Sequence, residues 1–354
     1  MNLGGAERQL LLLCSELRSD LEIEIITLDA IGPLLEKYKR QFPKIKIIDS
    51  SSYSIFVVLM KLANYIKASN PDLVITWLYK ADILGGIATK LAGKTPVIWS
   101  ARNSSIPKFG FFKKFALSLI ARRIPTVIVA NGKPAIDFHT AIGYPNHKIV
   151  RIPNLLAPWV YTIKSQSRMV NRSDDISPLR VGIAARQVPG KGILETITAV
   201  EKSGLNIKLL LIGQKTSQTS TLHLSEGYNF YDVKEITDDS ELAKWFKELD
   251  LYLMSSTHWE SQPNSLLEAM AIGCPVLVSN IIELEFKTPS QFSFDFVDDL
   301  SFKVAVESLL RLEAAKIKDM VDYQQDYILK EFSRESIVNK WKDLIFLRNS
   351  FSNK

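Results

Sequence analysis

The chain has 354 residues, 46% of them hydrophobic and 23% charged, which is long enough for two domains of ordinary size with separate cores. This composition excludes a disordered chain or a fibre, and no apolar run reaches the ~18 residues that a membrane-spanning helix needs. Residues 1–165 hold 22 basic and 11 acidic residues against 22 and 27 in the remainder, so the first half indicates an anionic partner, or else a lysine-rich surface in water.

Short β-branched runs alternate with longer amphipathic stretches along the chain. The candidate strands lie within residues 22–28, 44–48, 72–78, 96–101, 126–131, 179–184, 207–213, 228–233, 251–256 and 275–280. Helical spacing is clearest in residues 6–18, 83–93 and 241–249. Alternating helices and almost wholly apolar strands predict an α/β fold of two Rossmann-like domains with parallel sheets that face a central cleft.

A polar stretch without sustained periodicity divides the two halves. We predict an N-terminal domain over residues 1–160, a linker over 161–178 and a C-terminal domain over 179–335. Residues 336–354 continue a helical pattern and are expected to pack back on the N-terminal domain. The chain opens in the loop before its first helix, so we expect the native start to lie upstream by one strand, about 5–10 residues.

Cysteine and histidine usage favours a cytoplasmic protein without a cofactor. Cys14 and Cys274 lie among apolar neighbours, as small reduced core residues do, and the chain opens on a polar Gly-Gly segment rather than a signal peptide. No metal-ligand spacing is found among the four histidines, so no metal is expected.

Residues 260–276, with the sequence ESQPNSLLEAMAIGCPV, carry the most specific pattern. They predict a loop, a helix, a turn and a strand, with Pro263 suited to the first helical turn. Glu260 precedes the helix and Glu268 lies in its second turn, so two carboxylates can flank one ligand at the positive end of the helix dipole. A ligand with phosphate in the middle and hydroxyl-bearing groups on either side has the chemistry of a nucleotide sugar. Acidic residues that merely complement the dipole would account for only one of the two carboxylates.

Backbone N–H groups at this helix start are the expected phosphate donors. They belong to Asn264, Ser265, Leu266 and Leu267.

A second pattern, AARQVPGKG, places Arg186 after a strand and Lys191 in a glycine loop before a helix. Two cations at the carboxyl end of a strand can neutralise a leaving diphosphate. Alone the pattern is weak, because an arginine and a lysine in a loop are usually just solvated.

These phrases, together with GGAER near the start and IPN at residues 152–154, resemble family 4 retaining glycosyltransferases of the GT-B fold over essentially the whole chain. The glutamate pair matches the family's Glu-x7-Glu motif. The resemblance implies that Arg186 and Lys191 bind the donor diphosphate, that Glu260 contacts hydroxyls of the donor sugar, and that Glu268 holds the ribose hydroxyls.

The resemblance also implies contacts away from the motif. The loop at Gly4 and Gly5 would approach the sugar and phosphate, and Val233, Lys234 and Glu235 would contact the base. Ser261 replaces a glycine that is common in the family. Arg102 or Asn103 stands where many members carry a histidine, and we expect these two residues on the acceptor side.

The resemblance implies transfer of a hexose or N-acetylhexosamine from a UDP-linked nucleotide sugar, with retention and without an essential metal. The predicted acceptor is a polyprenyl-diphosphate-linked saccharide in O-antigen, capsule or exopolysaccharide assembly. Residues 108–123 hold five basic and no acidic residues with four phenylalanines. They predict either a helix at the anionic cytoplasmic face of the inner membrane or a crossover helix with its basic residues in water.

Two other functions remain open from the sequence: a catalytically inactive nucleotide-sugar-binding partner subunit, and a GT-B sugar-nucleotide epimerase. Nucleic-acid binding is rejected, because the basic chain has no recognition motif and no aromatic stacking platform.

Overall fold

The structure is a computed structural model that describes residues 5–28, 33–102, 111–162, 177–186, 188–213, 232–234, 239–258, 260–282, 293–298 and 300–349. It separates into two compact units, one of Met1–Leu155 with Arg334–Lys354 and one of Leu156–Ser333. The division falls between Leu155 and Leu156, earlier than the predicted boundary after residue 160. Both units combine helices with parallel strands, which confirms the predicted α/β class.

The first unit has two described sheets, and every strand pair in them is parallel. One sheet pairs β1 (Ile25–Thr27) with β2 (Ile45–Ile47), and the other has the order β3 (Val74–Trp77), β4 (Val97–Ala101), β5 (Val127–Ala130), β6 (Ile149–Arg151). The helices are α1 (Gly5–Leu17), α2 (Pro33–Gln41), α3 (Ile55–Ser69), α4 (Tyr79–Ala92), α5 (Phe111–Arg123), α6 (Lys133–Ala141) and, from the chain end, α12 (Arg334–Asn349). All residues of β4 and β5 are buried, as expected of strands covered on both faces.

The final helix, α12, packs in the first unit. Arg334 forms an ion pair with Glu16 at 2.8 Å, and Lys342 forms one with Asp20 at 2.8 Å. These pairs are partly exposed, so they orient the helix more than they stabilise it. The fully buried Trp341 supplies the apolar anchor that holds α12 against the unit.

The second unit has one parallel sheet with the order β12-β11-β10-β7-β8-β9. Its strands are β7 (Leu179–Ala184), β8 (Ile207–Ile212), β9 (Asp232–Lys234), β10 (Leu251–Met254), β11 (Val276–Ser279) and β12 (Ser293–Phe294). Its helices are α7 (Ile193–Ser203), α8 (Asp239–Lys247), α9 (Asn264–Ala271), α10 (Ser301–Leu310) and α11 (Ala314–Glu331).

The strand order of the second unit reverses between β7 and β10, which are direct neighbours. After β7 the chain continues to β8 on one side, and after β10 it continues to β11 on the other. Such a reversal opens a crevice at the carboxyl ends of the two strands, which is where ligands bind in sheets of this type. No described helix of either unit is both long enough and apolar enough to cross a membrane.

Candidate active site

The loops that follow β7 and β10 meet at this reversal point. The loop after β7 turns sharply at Gly192, whose backbone has a φ of +66°. A Cβ atom at Gly192 would lie 1.7 Å from the carbonyl oxygen of Ser255, so only glycine fits. Ser255 Oγ donates to the carbonyl of Lys191 at 2.7 Å, and Thr257 N–H donates to that of Gly190 at 3.0 Å. These contacts fix the backbone of Lys191 against the end of β10.

The Lys191 side chain reaches across to the loop after β10. Its Nζ atom donates to Glu260 Oε1, and Ser256 Oγ donates to the same oxygen at 2.8 Å. The two charged side chains are 25% and 22% exposed, so the ion pair can be reached from solvent. Glu260 Oε2 has no hydrogen bond to the described residues and can accept one from a ligand hydroxyl.

Arg186 lies two residues beyond the end of β7 and is exposed. Within the described part of the chain it forms no ion pair, so its guanidinium can bind an anion without losing a protein partner. The structure therefore brings Arg186, Lys191 and Glu260 to the ends of neighbouring strands.

The start of α9 offers fewer free donors than the sequence suggests. The N–H groups of Leu266 and Leu267 donate to the carbonyl of Pro263 at 3.1 and 3.2 Å. Among the described residues the N–H of Ser265 has no such partner. A phosphate at this end would thus meet Ser265 first, and it would have to compete with Pro263 for the next two N–H groups.

The Ser265 side chain ties α9 to the sheet. Tyr252 Oη donates to Ser265 Oγ at 2.7 Å, and Ser265 Oγ donates to the carbonyl of Ala184 at 3.2 Å. Burial raises the pKa of Tyr252, so its hydroxyl stays protonated and remains a donor. Sequence reasoning missed Tyr252. Its only signal is a phenol within an otherwise apolar strand.

The other predicted donor contacts are more dispersed. Glu268 is only 2% exposed, within α9, and it has an interaction partner. Val233 and Lys234 lie on the edge strand β9, opposite Leu211 and Ile212 of β8. Gly5 is the first residue of α1 in the first unit. Asn264 is the first residue of α9 and also has an interaction partner. Three predicted contacts, Gly4, Asn103 and Glu235, lie outside the described residues.

Arg102 is buried at the carboxyl end of β4 in the first unit and is 8% exposed. Its Nε donates to Ser100 Oγ at 2.8 Å, and its Nη1 donates to Asn154 Oδ1 at 2.6 Å. The guanidinium carbon lies 4.5 Å from the ring centre of Trp77 and 5.7 Å from that of Trp341. Burial lowers the pKa of Arg102 to about 9.

Acidic, histidine and cysteine side chains do not cluster into a metal site within the described ranges.

Two family models match the chain. The model described as Glycosyltransferase Family 4 matches residues 3–156, and the model described as Glycosyl transferases group 1 matches residues 180–310. Together they span most of both structural units. The search of the curated proteins found no match.

Several solved structures share the architecture. Alr3699/HepE from Anabaena, crystallised with UDP-glucose, is 16% identical with a TM-score of 0.79, over 97% of this chain and 96% of that one. A glycosyltransferase from Rickettsia africae is 18% identical with a TM-score of 0.71, over 98% and 96%. The lipopolysaccharide outer core galactosyltransferase WaaB is 15% identical with a TM-score of 0.63, also over 98% and 96%. At these identities the likeness shows the fold, which is GT-B.

Proposed function

The chain is a glycosyltransferase of the GT-B fold, and from that premise we propose that it transfers a sugar from a UDP-linked donor with retention of the anomeric configuration. The observation that carries the proposal is the Lys191–Glu260 ion pair beside the start of α9, at the strand-order reversal of the second unit. A cation, a carboxylate and an unpaired backbone N–H within one crevice suit a diphosphate that bears a sugar. The relative HepE, crystallised with UDP and with UDP-glucose, supports UDP as the carrier.

Stabilisation of the leaving group is the main catalytic task of this site. When the bond between the sugar C1 and the diphosphate oxygen breaks, the UDP gains negative charge. Lys191, Arg186 and the N–H of Ser265 are positioned to stabilise that charge as it develops. Lys191 would exchange part of its contact with Glu260 for the diphosphate. The free oxygen of Glu260 would accept a hydrogen bond from a sugar hydroxyl.

Retention follows if the acceptor attacks from the side on which UDP departs. The acceptor hydroxyl oxygen forms the new bond to C1, and its proton passes to the departing phosphate oxygen. Atoms and charge then balance without a protein nucleophile. Glu260 suits hydroxyl binding better than covalent attack, because one of its oxygens already accepts two hydrogen bonds.

A lipid-linked saccharide is the acceptor that we propose, with surface-polysaccharide assembly as its setting. WaaB, described as a lipopolysaccharide outer core galactosyltransferase, supports that setting. The first unit supports it physically, because residues 50–123 hold eleven basic and only two acidic residues. Such an excess of positive charge attracts anionic phospholipids and polyprenyl diphosphates alike.

Two helices of the first unit present apolar side chains to solvent beside this positive charge. At the start of α3, Ile55 is 70% exposed and Phe56 is 71% exposed. On α5, Phe115 is exposed next to Lys114, while Leu117 of the same helix is buried. Apolar tips that insert between headgroups, flanked by lysines, are typical of peripheral membrane proteins. We propose that α3 and α5 bind the cytoplasmic face of the inner membrane.

Vesicle sedimentation tests the membrane contact. Wild-type protein should bind phosphatidylethanolamine–phosphatidylglycerol vesicles and not phosphatidylcholine vesicles, and the double change Ile55→Ser and Phe56→Ser should release it. Leu329→Ser, which removes an exposed leucine from the second unit, is the matched control. Equal binding of the double variant and the wild type would contradict the assignment.

A panel of nucleotide sugars in a thermal-shift assay tests the donor. We expect UDP and one UDP-sugar to raise the Tm of the purified chain. Stabilisation by GDP-sugars alone would overturn the choice of UDP. No shift with any nucleotide sugar, in a folded protein, would overturn the transferase mechanism.

A further inference from the structure

Arg102 is a buried cation without a counter-ion in the described part of the first unit. Its two hydrogen-bond acceptors, Ser100 and Asn154, are neutral, and its Nη2 atom has no hydrogen bond to the described residues. No described carboxylate forms an ion pair with it. A buried charge is costly unless an anion or several hydrogen bonds compensate it. Among the described residues, Arg102 therefore lacks the carboxylate partner that a buried arginine usually has.

The position of Arg102 is one at which a ligand can supply that partner. Arg102 directly follows β4, at the edge of the sheet where strands of α/β folds meet their ligands. The indole of Trp77, which stacks on the guanidinium, donates from Nε1 to the carbonyl of Ala6 at 2.8 Å. Ala6 belongs to the first turn of α1. The indole of Trp77 therefore contacts both the guanidinium of Arg102 and the positive end of the α1 dipole.

The surrounding groups hold the guanidinium plane in one orientation. Trp77 and Trp341 lie over it, while Ser100 and Asn154 engage Nε and Nη1. Both N–H groups of Nη2 and the second N–H of Nη1 have no acceptor among the described residues, so a further acceptor can bind there. A planar fork fixed in this way is suited to the oxygens of a carboxylate or a phosphate, which it binds more strongly than a neutral hydroxyl.

We propose that Arg102 binds an anionic group, a carboxylate or a phosphate, that belongs to a substrate of the glycosyl transfer. This inference rests on the proposed function and names a charge that the substrate must carry. The group can be the diphosphate of a lipid-linked acceptor or a carboxylate on the acceptor saccharide.

Matched pairs of probes separate these two sources. Farnesyl diphosphate and farnesol differ in the diphosphate of a lipid-linked acceptor, and methyl glucuronide and methyl glucoside differ in the carboxylate of an acceptor saccharide. Binding of each probe to the full chain is followed by tryptophan fluorescence, because Trp77 and Trp341 contact the guanidinium. UDP is titrated in the same series.

We expect the wild type to prefer the anionic member of one pair. Arg102→Gln should weaken the binding of that member by about tenfold to a hundredfold, the range expected for a charge-assisted hydrogen bond. The binding of its neutral counterpart should stay unchanged. Arg102→Lys keeps the charge without the planar fork. It should bind the anionic member with an affinity between those of the wild type and Arg102→Gln. Lys316→Gln removes an exposed cation of the second unit and should change the binding of neither member.

Two results would overturn the inference. One is a wild type that binds the anionic and neutral members of both pairs equally, a comparison that needs no variant to fold. The other is a folded Arg102→Gln variant that keeps the full preference. If UDP binds normally in either case, only the role of Arg102 is wrong. If UDP fails to bind the wild type, the proposed function itself is contradicted.

Discussion

The two domains hold their central cations in different ways. In the second domain Lys191 lies opposite Glu260, and both charges are partly exposed. In the first domain Arg102 is buried against two indole rings and bonded to neutral acceptors. The lysine side chain is flexible, so Lys191 can exchange Glu260 for a ligand during a reaction. The guanidinium of Arg102 is held in place by its contacts, so it can bind a ligand but cannot exchange one partner for another. Lys191 of the second domain would therefore meet charge that develops on the ligand during the reaction. Arg102 of the first domain would meet charge that the ligand carries throughout.

Removal of Lys191 should have the largest effect, because it deletes the exchangeable cation. With the donor identified by the thermal-shift panel, Lys191→Ala should lower kcat by about 100-fold to 1,000-fold, the loss typical of one group that stabilises charge in a transition state. The Kd of the UDP-sugar should change much less, because the extra negative charge develops only as the bond breaks. Lys316→Ala, an exposed lysine of the same domain, is the control. Normal turnover in Lys191→Ala would refute the leaving-group role.

Displacement of Lys191 without its removal should have the next largest effect. Gly192→Ala would place a Cβ atom 1.7 Å from the carbonyl oxygen of Ser255, so the loop must lift from β10 and carry Lys191 with it. We expect a loss of stability of about 1–3 kcal/mol and a lower kcat. Gly204→Ala is a matched control, because Gly204 has nearly the same φ, +64°, with no atom within 4 Å of the added Cβ. Equal Tm values and rates for the two variants would contradict the positioning role of Gly192.

Removal of the counter-ion of Lys191 should have a smaller effect. It leaves the second domain with a cation that has no carboxylate partner, like Arg102 in the described part of the first domain. Glu260→Gln keeps an acceptor for Ser256 but leaves Lys191 without its counter-ion. Because the carboxylate no longer competes with the diphosphate, UDP should bind about 3-fold to 10-fold tighter, the range expected of a partly exposed ion pair. Isothermal titration with UDP measures this, with the exposed Glu248→Gln as the control. Unchanged or weaker binding of UDP would show that Lys191 and Glu260 do not compete in this way.

The smallest expected effect on the reaction concerns a buried acid of the first domain. Burial raises the pKa of Asp82 to about 8, while the hydroxyl of Thr76 and the N–H of Ser100 donate to its carboxyl group. In the unfolded chain the group ionises near its ordinary pKa of 3.8. Its contribution to stability is therefore full below about pH 4, falls as the pH rises toward 8 and then levels off.

Asp82→Asn should remove this part of the pH dependence, because an amide stays neutral throughout. The difference between the Tm values at pH 5 and pH 8 should be smaller in Asp82→Asn than in the wild type. Asp72→Asn, an exposed aspartate of the same unit, should keep the wild-type slope. A wild-type slope in Asp82→Asn would show that the carboxyl group is already ionised in the folded protein.

Much of the fold could be predicted from local pattern. The β-branched runs located ten strands, because buried parallel strands are apolar almost throughout. β6 (Ile149–Arg151) and β12 (Ser293–Phe294) escaped prediction, since Arg151 interrupts the short apolar run at β6 and the two residues of β12 are too few to show a period. Their existence depends on pairing with β5 and β11.

The site could be predicted only where residues are close in sequence. The motif around Glu260 indicates a loop and a helix start, but its ion pair with Lys191 depends on the parallel pairing of β7 with β10. The N–H groups of Leu266 and Leu267 looked free until the carbonyl of Pro263 was found beside them. Nothing in the sequence near Arg102 indicates its contact with Trp341, because that contact requires α12 to return to the first unit.

The measurement that tests the central claim most directly compares UDP with uridine by isothermal titration. If the diphosphate binds at the ends of β7 and β10, UDP should bind the wild type at least about 100-fold tighter than uridine, as two charge-assisted contacts allow. In the double variant Arg186→Ala and Lys191→Ala most of that difference should disappear. Equal binding of UDP and uridine to the wild type, or an undiminished preference for UDP in the double variant, would contradict the account.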